Sequence, residues 1–153
     1  MTVPQFGVAE AGSIFPDRPA AFAVIESDGL IALVQFERQG RGLVVDLPGG
    51  GIDPGETADE AAVRECGEEA GLVVAIAPAP FVRADHYFTH NDGVVRNTRG
   101  AFFEGRMTAE NLALKIEADH ELVWMEPLAA VVQLDRDSHA WALACWLRLR
   151  VRG

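Results

Sequence analysis

The stretch from Gly50 to Leu72, reading GGIDPGETADEAAVRECGEEAGL, constrains this chain more than any other. Thr57 followed by Glu60 is a capping box, which predicts a helix starting at Ala58. Ala58, Ala61, Ala62, Val63 and Arg64 favour helix. Gly71 suits the left-handed cap that would end it. On that helix Glu65 lies at i, i+3 from Glu68 and at i, i+4 from Glu69, so three carboxylates share one side. Val63, Cys66 and Ala70 are expected on the opposite side, packed on a sheet. Gly67 inside the helix costs about 1 kcal/mol relative to alanine.

An acidic run of this kind is usually a solvated helix face. Like charges at these spacings repel by roughly a few tenths of a kcal/mol per pair. They become favourable when a hard divalent cation sits among them, and Mg²⁺ takes oxygen ligands. The fixed company of Gly50, Glu56, Arg64 and Gly71 argues for the second reading.

Gly50 is followed six positions later by Glu56, and Arg64 and Glu65 come eight positions after that. Cys66, Glu68, Glu69, Gly71 and Leu72 complete the pattern. This resembles the Nudix box at every fixed position, with Cys66 small for its apolar slot. The resemblance implies a Nudix-type α/β/α sandwich with a mixed β-sheet and the box as a loop-helix-loop. It implies a Mg²⁺-dependent pyrophosphohydrolase, with Mn²⁺ as a possible substitute, acting on a nucleoside diphosphate linked to a further group. Glu65, Glu68 and Glu69 would be the core metal carboxylates, with Glu56 as an additional ligand. Arg64 would orient a box glutamate. Pro48 and the backbone of Gly49, Gly50 and Gly51 would shape the loop around metal and phosphates. In some members the base or an extra ligand comes from an acidic loop before a late strand. Here Glu117, Asp119, His120 and Glu121 occupy that loop, with Glu117 the first candidate.

Substrate choice in this family sits outside the box. Arg38, Arg41, Arg83, Arg96 and Arg99 could meet phosphate, although any one of them alone reads first as a surface arginine. Tyr87, sixteen residues after Gly71, stands near the tyrosine that marks dinucleoside polyphosphate hydrolases, and it reads equally as a strand tyrosine half in the core. The downstream proline of ADP-ribose members is missing, since Pro80 is too early. The motifs of coenzyme A and NADH members are missing as well. Asp135 and Asp137 stand where oxidised-purine members read the base, but Leu134 replaces the helpful aromatic ring. The expected substrate is therefore a nucleoside triphosphate, purine before pyrimidine and including oxidised purines. A dinucleoside polyphosphate is the alternative. A nucleotide-binding module that does not cleave is the alternative of another class, and the intact glutamates speak against it.

The remainder of the chain is consistent with a single domain over residues 1–153. Nearly half of the residues are apolar, enough for a core. A net charge of −10 argues against general binding to nucleic acid polymers or anionic membranes. A small polyphosphate is still admissible, because bound cations invert the local field. Cys66 and Cys145 read as thiols in a reducing cytoplasm, and the N-terminus reads as no signal peptide. A monomer or homodimer is expected.

Strands are predicted at Gln5 to Ala9, Ala20 to Glu26, Leu30 to Phe36, Leu43 to Leu47, Val73 to Ile76, Phe81 to Thr89, Val94 to Glu104 and Glu121 to Met125. Ser27-Asp28-Gly29 joins two of them as a hairpin. Ser13 to Pro19 reads as loop, and Thr108 to Ile116 is ambiguous. A short helical segment from Glu126 to Val132 and a last helix from Asp137 to Arg150 complete the chain. Trp141, Ala144, Cys145 and Leu149 are the expected apolar positions of the last helix. Strands between helices indicate a mixed α/β sheet.

Overall fold

The fold follows from two long apolar runs that are buried on both faces. In the computed structural model, which describes residues 2–153, these are β2 (Asp17–Ser27) and β3 (Leu30–Arg38). Around them stand β1 (Gln5–Phe6), β4 (Gly42–Asp46), β5 (Gly49–Gly51), β6 (Leu72–Ile76), β7 (Val82–Thr89), β8 (Val95–Glu110) and β9 (Glu121–Met125). The helices are α1 (Ala58–Ala70), α2 (Pro127–Gln133) and α3 (Asp137–Arg152). A 3-10 turn covers Leu112–Leu114. No described helix is long and apolar enough to cross a membrane.

The strands order as β1-β7-β8-β2-β3-β4, with β5 on β2, β6 on β8 and β9 on β3. The sheet is mixed: β2 runs parallel to β8, and β7 antiparallel to it. Asp28 and Gly29 turn β2 into β3 with φ of 51° and 78°. Both positive values belong to a tight hairpin turn, for which Asp-Gly is suited. The pairing of β2 with β3 ends after Glu26↔Ile31. Beyond it, β2 pairs with β5 from Ala20↔Gly51 to Phe22↔Gly49, and β3 pairs with β4 and β9. This divergence opens the sheet, and residues from both parting strands line a cleft there.

Side-chain alternation along β2 and β3 sorts the core into two layers. Phe22, Val24, Ile31 and Leu33 pack with Ala142, Leu143 and Trp146 of α3. Ala23, Ile25, Ala32 and Val34 pack with Cys66 and Ala70 of α1. Ala21, Ala61, Ala62 and Ala101 extend the α1 layer around Phe103. These small residues let the helix lie close to the sheet. The result is the α/β/α sandwich, with both sheet faces covered.

Several expected boundaries move. β2 starts at Asp17, inside the stretch expected to be loop, and so brings Arg18 onto a strand. β8 runs on to Glu110 and takes in the start of the ambiguous segment. β1 is only two residues long. Gly7 follows at φ 76°, and a Cβ there would stand 2.4 Å from the Tyr87 carbonyl oxygen. Val63 does not face the sheet: it is 41% exposed, and Ala61, Ala62, Cys66 and Ala70 form the buried side of α1. On α3 the buried line is Ser138, His139, Ala142, Leu143 and Trp146, whereas Ala144 and Leu149 are exposed. Two polar residues can turn inward there because each finds a partner. Ser138 Oγ lies 2.8 Å from His86 Nδ1, and the Leu47 N–H donates to His139 Nδ1 at 3.1 Å. Long-range hydrogen bonds thus set the rotation of α3.

Candidate active site

The helix that carries the box begins and ends as its sequence dictates. Thr57 and Glu60 form the reciprocal capping box, and Gly71 closes the helix at φ 67°. Arg64 gathers the carboxylates. Its Nε and Nη2 donate to Glu56 at 2.9 and 3.0 Å, and its Nη1 donates to Glu65 and Glu68 at 3.0 Å each. Nη2 also donates to the Gly51 carbonyl at 3.0 Å. Glu69 lies deeper and accepts the Gly49 N–H at 2.8 Å. Helix and glycine loop are therefore locked together by side chains of the helix.

Two glycines are required by this contact. Gly49 has φ 151°, and a Cβ there would come within 2.2 Å of the Ala21 carbonyl oxygen. A Cβ on Gly50 would stand 2.7 Å from Glu65 Oε1. Gly50→Ala must therefore push the Glu65 carboxylate aside. Because that carboxylate is the end of a flexible side chain, the fold should survive. The expected result is a loss of activity of about 100-fold with a change in unfolding midpoint of only about 2–4 °C, read by kinetics and thermal melting side by side.

The electrostatics fit a cation. Burial is the largest cause of a raised Glu65 pKa, which Arg64 opposes. Glu69 is pushed well above the usual carboxylate range, first by burial, against the Gly49 N–H, and further by the charges of Glu65, Glu117 and Asp46. Glu56 moves the other way, held down chiefly by its hydrogen bonds to Arg64. The protein thus packs more negative charge here than its own arginine neutralises. Every donor offered is a hard oxygen, which suits Mg²⁺ or Mn²⁺. Glu65, Glu68 and Glu69 could hold such an ion, with Glu56 behind them.

Glu69, Gly49 and Gly50 stand at one side of a cleft of about 740 Å³ including solvent at its mouth. Arg18 lies against Gly51, with its Nη2 3.1 Å from where a Cβ would be. Among the described residues Arg18 forms no ion pair. Phe22, Phe36 and Phe88 line the cleft together with Arg38, Asp46, His90, His120 and Arg136. The loop before β9 reaches the box because the N–H groups of Ile116 and Glu117 both donate to the Glu68 carbonyl at 3.0 Å. It places potential ligand atoms of Glu117, Asp119 and His120 within 4.8 Å of one another. The His120 ring stacks on Phe36 at 4.6 Å, with its Nε2 3.3 Å from Glu69 Oε2.

The residues expected to read a base are not brought to this cleft. Tyr87 packs on Phe15 at 5.1 Å, on the other face of β7 from Phe88. Alternation along the strand gives the cleft position to Phe88 instead. The Asp135 carboxylate is almost fully buried between Arg38 and Arg41, so its hydrogen-bonding capacity is taken. Arg41, with its side chain 61% exposed, serves that pair and borders a separate surface groove. Asp137 is exposed in the first turn of α3. Arg96 and Arg99 pair with Asp92 and Asp17 at 2.7 and 3.2 Å. The cleft residues missed from the sequence include Arg18, Phe22, Phe36, Asp46, Phe88, His90 and Arg136. The one readable signal was strict alternation along β7, and it needed knowledge of which face is the cleft.

Comparisons with known proteins agree with this fold. Residues 16–147 match the NUDIX domain family model. A segment of 32 residues is 62% identical to "Putative 8-oxo-dGTP diphosphatase" of Bacillus subtilis (strain 168), covering 21% of this chain and 22% of that protein. The chain spans only that fifth of the curated relative's length. The fold is similar to the MutT protein from Methanosarcina mazei Go1, with TM-score 0.69, 20% identity, and 89% and 96% of the two chains covered. It is also similar to the NUDIX hydrolase from Nitrosomonas europaea, with TM-score 0.67, 22% identity, and 87% and 89% covered. The MutT NUDIX hydrolase from Burkholderia pseudomallei aligns with TM-score 0.61, 26% identity, and 84% and 96% covered. The family match runs through the sheet, the box helix and most of α3, and so the chain belongs to the NUDIX domain family.

Proposed function

We propose that this protein is a Mg²⁺-dependent nucleotide pyrophosphohydrolase. Its substrate is a nucleoside triphosphate, purine before pyrimidine and including oxidised purines, cleaved to a monophosphate and pyrophosphate. The observation that carries this reading is the gathering of Glu65 and Glu68 on Arg64, next to Glu69 and a side-chain-free glycine loop that stand at one side of an aromatic cleft. A bound divalent cation would supply charge neutralisation at the phosphates and acidify water. The chain's own residues do the rest. Glu65, Glu68 and Glu69 hold the cation, with Glu56 in support. Arg64 keeps them oriented through its fork of hydrogen bonds. Arg18, which forms no ion pair among the described residues and lies against Gly51, neutralises a phosphate. Glu117 takes the proton of the attacking water; its charge is close enough to raise the pKa of both Glu65 and Glu69. Phe22, Phe36 and Phe88 offer the base apolar surface and exclude water.

The name of the Bacillus subtilis relative supports an oxidised guanine nucleotide as one substrate. Tyr87 was the argument for a dinucleoside polyphosphate, and its packing on Phe15 removes that support. The test is a comparison of kcat/KM for dGTP, 8-oxo-dGTP, diadenosine tetraphosphate and ADP-ribose at fixed Mg²⁺, with and without EDTA. The triphosphates should lead, and chelation should abolish turnover. A clear preference for ADP-ribose, or turnover indifferent to EDTA, would overturn the reading.

A further inference from the structure

His139 stands in the first turn of α3 with 1% of its surface exposed. Its Nδ1 accepts the Leu47 N–H at 3.1 Å, so Nδ1 carries no proton. Asp46 Oδ1, 4.0 Å from Nδ1, is too far for a hydrogen bond. Burial first, and then the charge of Arg136, hold the His139 pKa well below the usual histidine value. The ring is therefore neutral near neutral pH, with its proton on Nε2. That Nε2 is sealed from water without a hydrogen-bond partner among the described residues. An apolar side chain at this position would bring no unmet donor into the core. What the imidazole offers in exchange is the Nδ1 lone pair that meets Leu47.

Leu47 is the entry to the glycine loop. β4 ends at Asp46, and Leu47, Pro48 and Gly49 follow directly. Each of these residues is tied to a different element. The Leu47 N–H donates to His139 of α3, the Pro48 carbonyl accepts the Ala23 N–H of β2 at 3.0 Å, and the Gly49 N–H donates to Glu69 of α1. The His139 ring also packs on Phe22 at 4.3 Å, and Phe22 is the sheet partner of Gly49. One imidazole thus holds the entry of the loop and supports the strand residue paired with its first glycine. Leu47 is buried and lines the cleft, whereas His139 does not. Without the acceptor, the Leu47 N–H either stays unpaired in the interior or turns toward water in the cleft. Turning displaces Gly49 and Gly50. Gly49 is hydrogen-bonded to Glu69, and Gly50 lies against the Glu65 carboxylate.

We propose that His139 is a positioning residue for the metal-binding carboxylates, acting through the Leu47 N–H and the glycine loop. The proposal rests on the hydrolase reading given above and adds to it a residue that lies outside both the box and the cleft. The imidazole takes no part as acid or base.

Three substitutions separate this role from its rivals. In His139→Asn the amide oxygen stands near the place of Nδ1 and accepts from Leu47. His139→Leu keeps a similar volume without the acceptor. In His139→Gln the amide falls nearer to the place of Nε2 and misses the Leu47 N–H. The Asn variant should keep kcat within about 5-fold, and the Leu and Gln variants should lose about 30-fold to 100-fold with KM within about 3-fold. Calorimetric Mn²⁺ affinity should fall by about 10-fold in Leu and Gln and by much less in Asn. Amide hydrogen exchange over residues 44–52, measured in EDTA, should speed up by about 10-fold in Leu and Gln while the centre of the sheet keeps its protection. Kinetics are taken well below the unfolding midpoint, so a merely structural role would lower the midpoint and leave kcat and Mn²⁺ affinity as they are. That result would overturn the proposal. So would an Asn variant as impaired as Leu, which would make the imidazole itself the active group, or faster exchange spread evenly over the chain. If the unaltered protein turns over no nucleotide, the hydrolase reading falls, while Mn²⁺ affinity and loop exchange still decide on His139.

Discussion

Glu69→Gln is expected to lower kcat/KM by about three orders of magnitude while leaving thermal stability in EDTA unchanged or higher. Several kcal/mol of transition-state stabilisation depend on the metal carboxylates, and about 4 kcal/mol corresponds to a factor of roughly 1,000. The stability side follows from the sign of the pKa shift. Glu69 has a folded-state pKa raised chiefly by burial, so its ionised form is disfavoured in the folded protein. Near neutral pH, above the unfolded value, the ionised carboxylate therefore costs stability that a neutral amide does not. The glutamine oxygen can still accept the Gly49 N–H that Glu69 accepts at 2.8 Å. Its amide can donate to His120 Nε2, now 3.3 Å from Glu69 Oε2. Steady-state kinetics, thermal melting in EDTA and calorimetric titration with Mn²⁺ are the measurements. Activity within 10-fold of the unaltered protein would remove Glu69 from the proposed metal site.

Arg64→Lys keeps the charge and should still reduce kcat by about 100-fold, with a smaller change in KM. The guanidinium donates to Glu56, Glu65, Glu68 and the Gly51 carbonyl at once, at 2.9 to 3.0 Å. An ammonium has three donors and no planar fork, so at least two of these five hydrogen bonds fail. Hydrogen bonds to charged groups are each worth about 1.5–3 kcal/mol. The side chain is one-quarter exposed, and solvent screening reduces the sum to about 2–3 kcal/mol. At 2–4 °C per kcal/mol for a chain of this size, the unfolding midpoint should drop by roughly 5–10 °C. Loss of kcat with loss of stability is the signature of a positioning residue. A rise in KM alone would place Arg64 on the phosphates instead.

The box and the site were not equally legible in the chain. Glu65, Glu68 and Glu69 could be placed on one helix side from spacing alone, and Thr57, Glu60 and Gly71 marked the ends of that helix. The hairpin at Asp28-Gly29 was legible for the same reason, since turn chemistry acts over four residues. The strand nature of Asp17 and Arg18 was hidden by Pro16 and Pro19. A proline lacks a donor but keeps its carbonyl, and here the Pro19 carbonyl accepts the Ile52 N–H at 3.0 Å.

Tyr87 and Phe88 mark where sequence stops informing. Alternation says that they face opposite ways, and only the packing of β7 against β8, α3 and Phe15 says which way is the cleft. Asp135 and Arg136 make the same point with charge. Next to one another in sequence, one is consumed by two arginines and the other lies 3.3 Å from Asp46 and over the Phe88 ring. What the sequence alone determined is the helix with its three carboxylates, its caps and its glycine loop, because those depend on interactions within a few residues. The tertiary structure alone decided the contents of the cleft, because burial and partner choice depend on residues as far apart as Arg38 and Asp135 or Leu47 and His139.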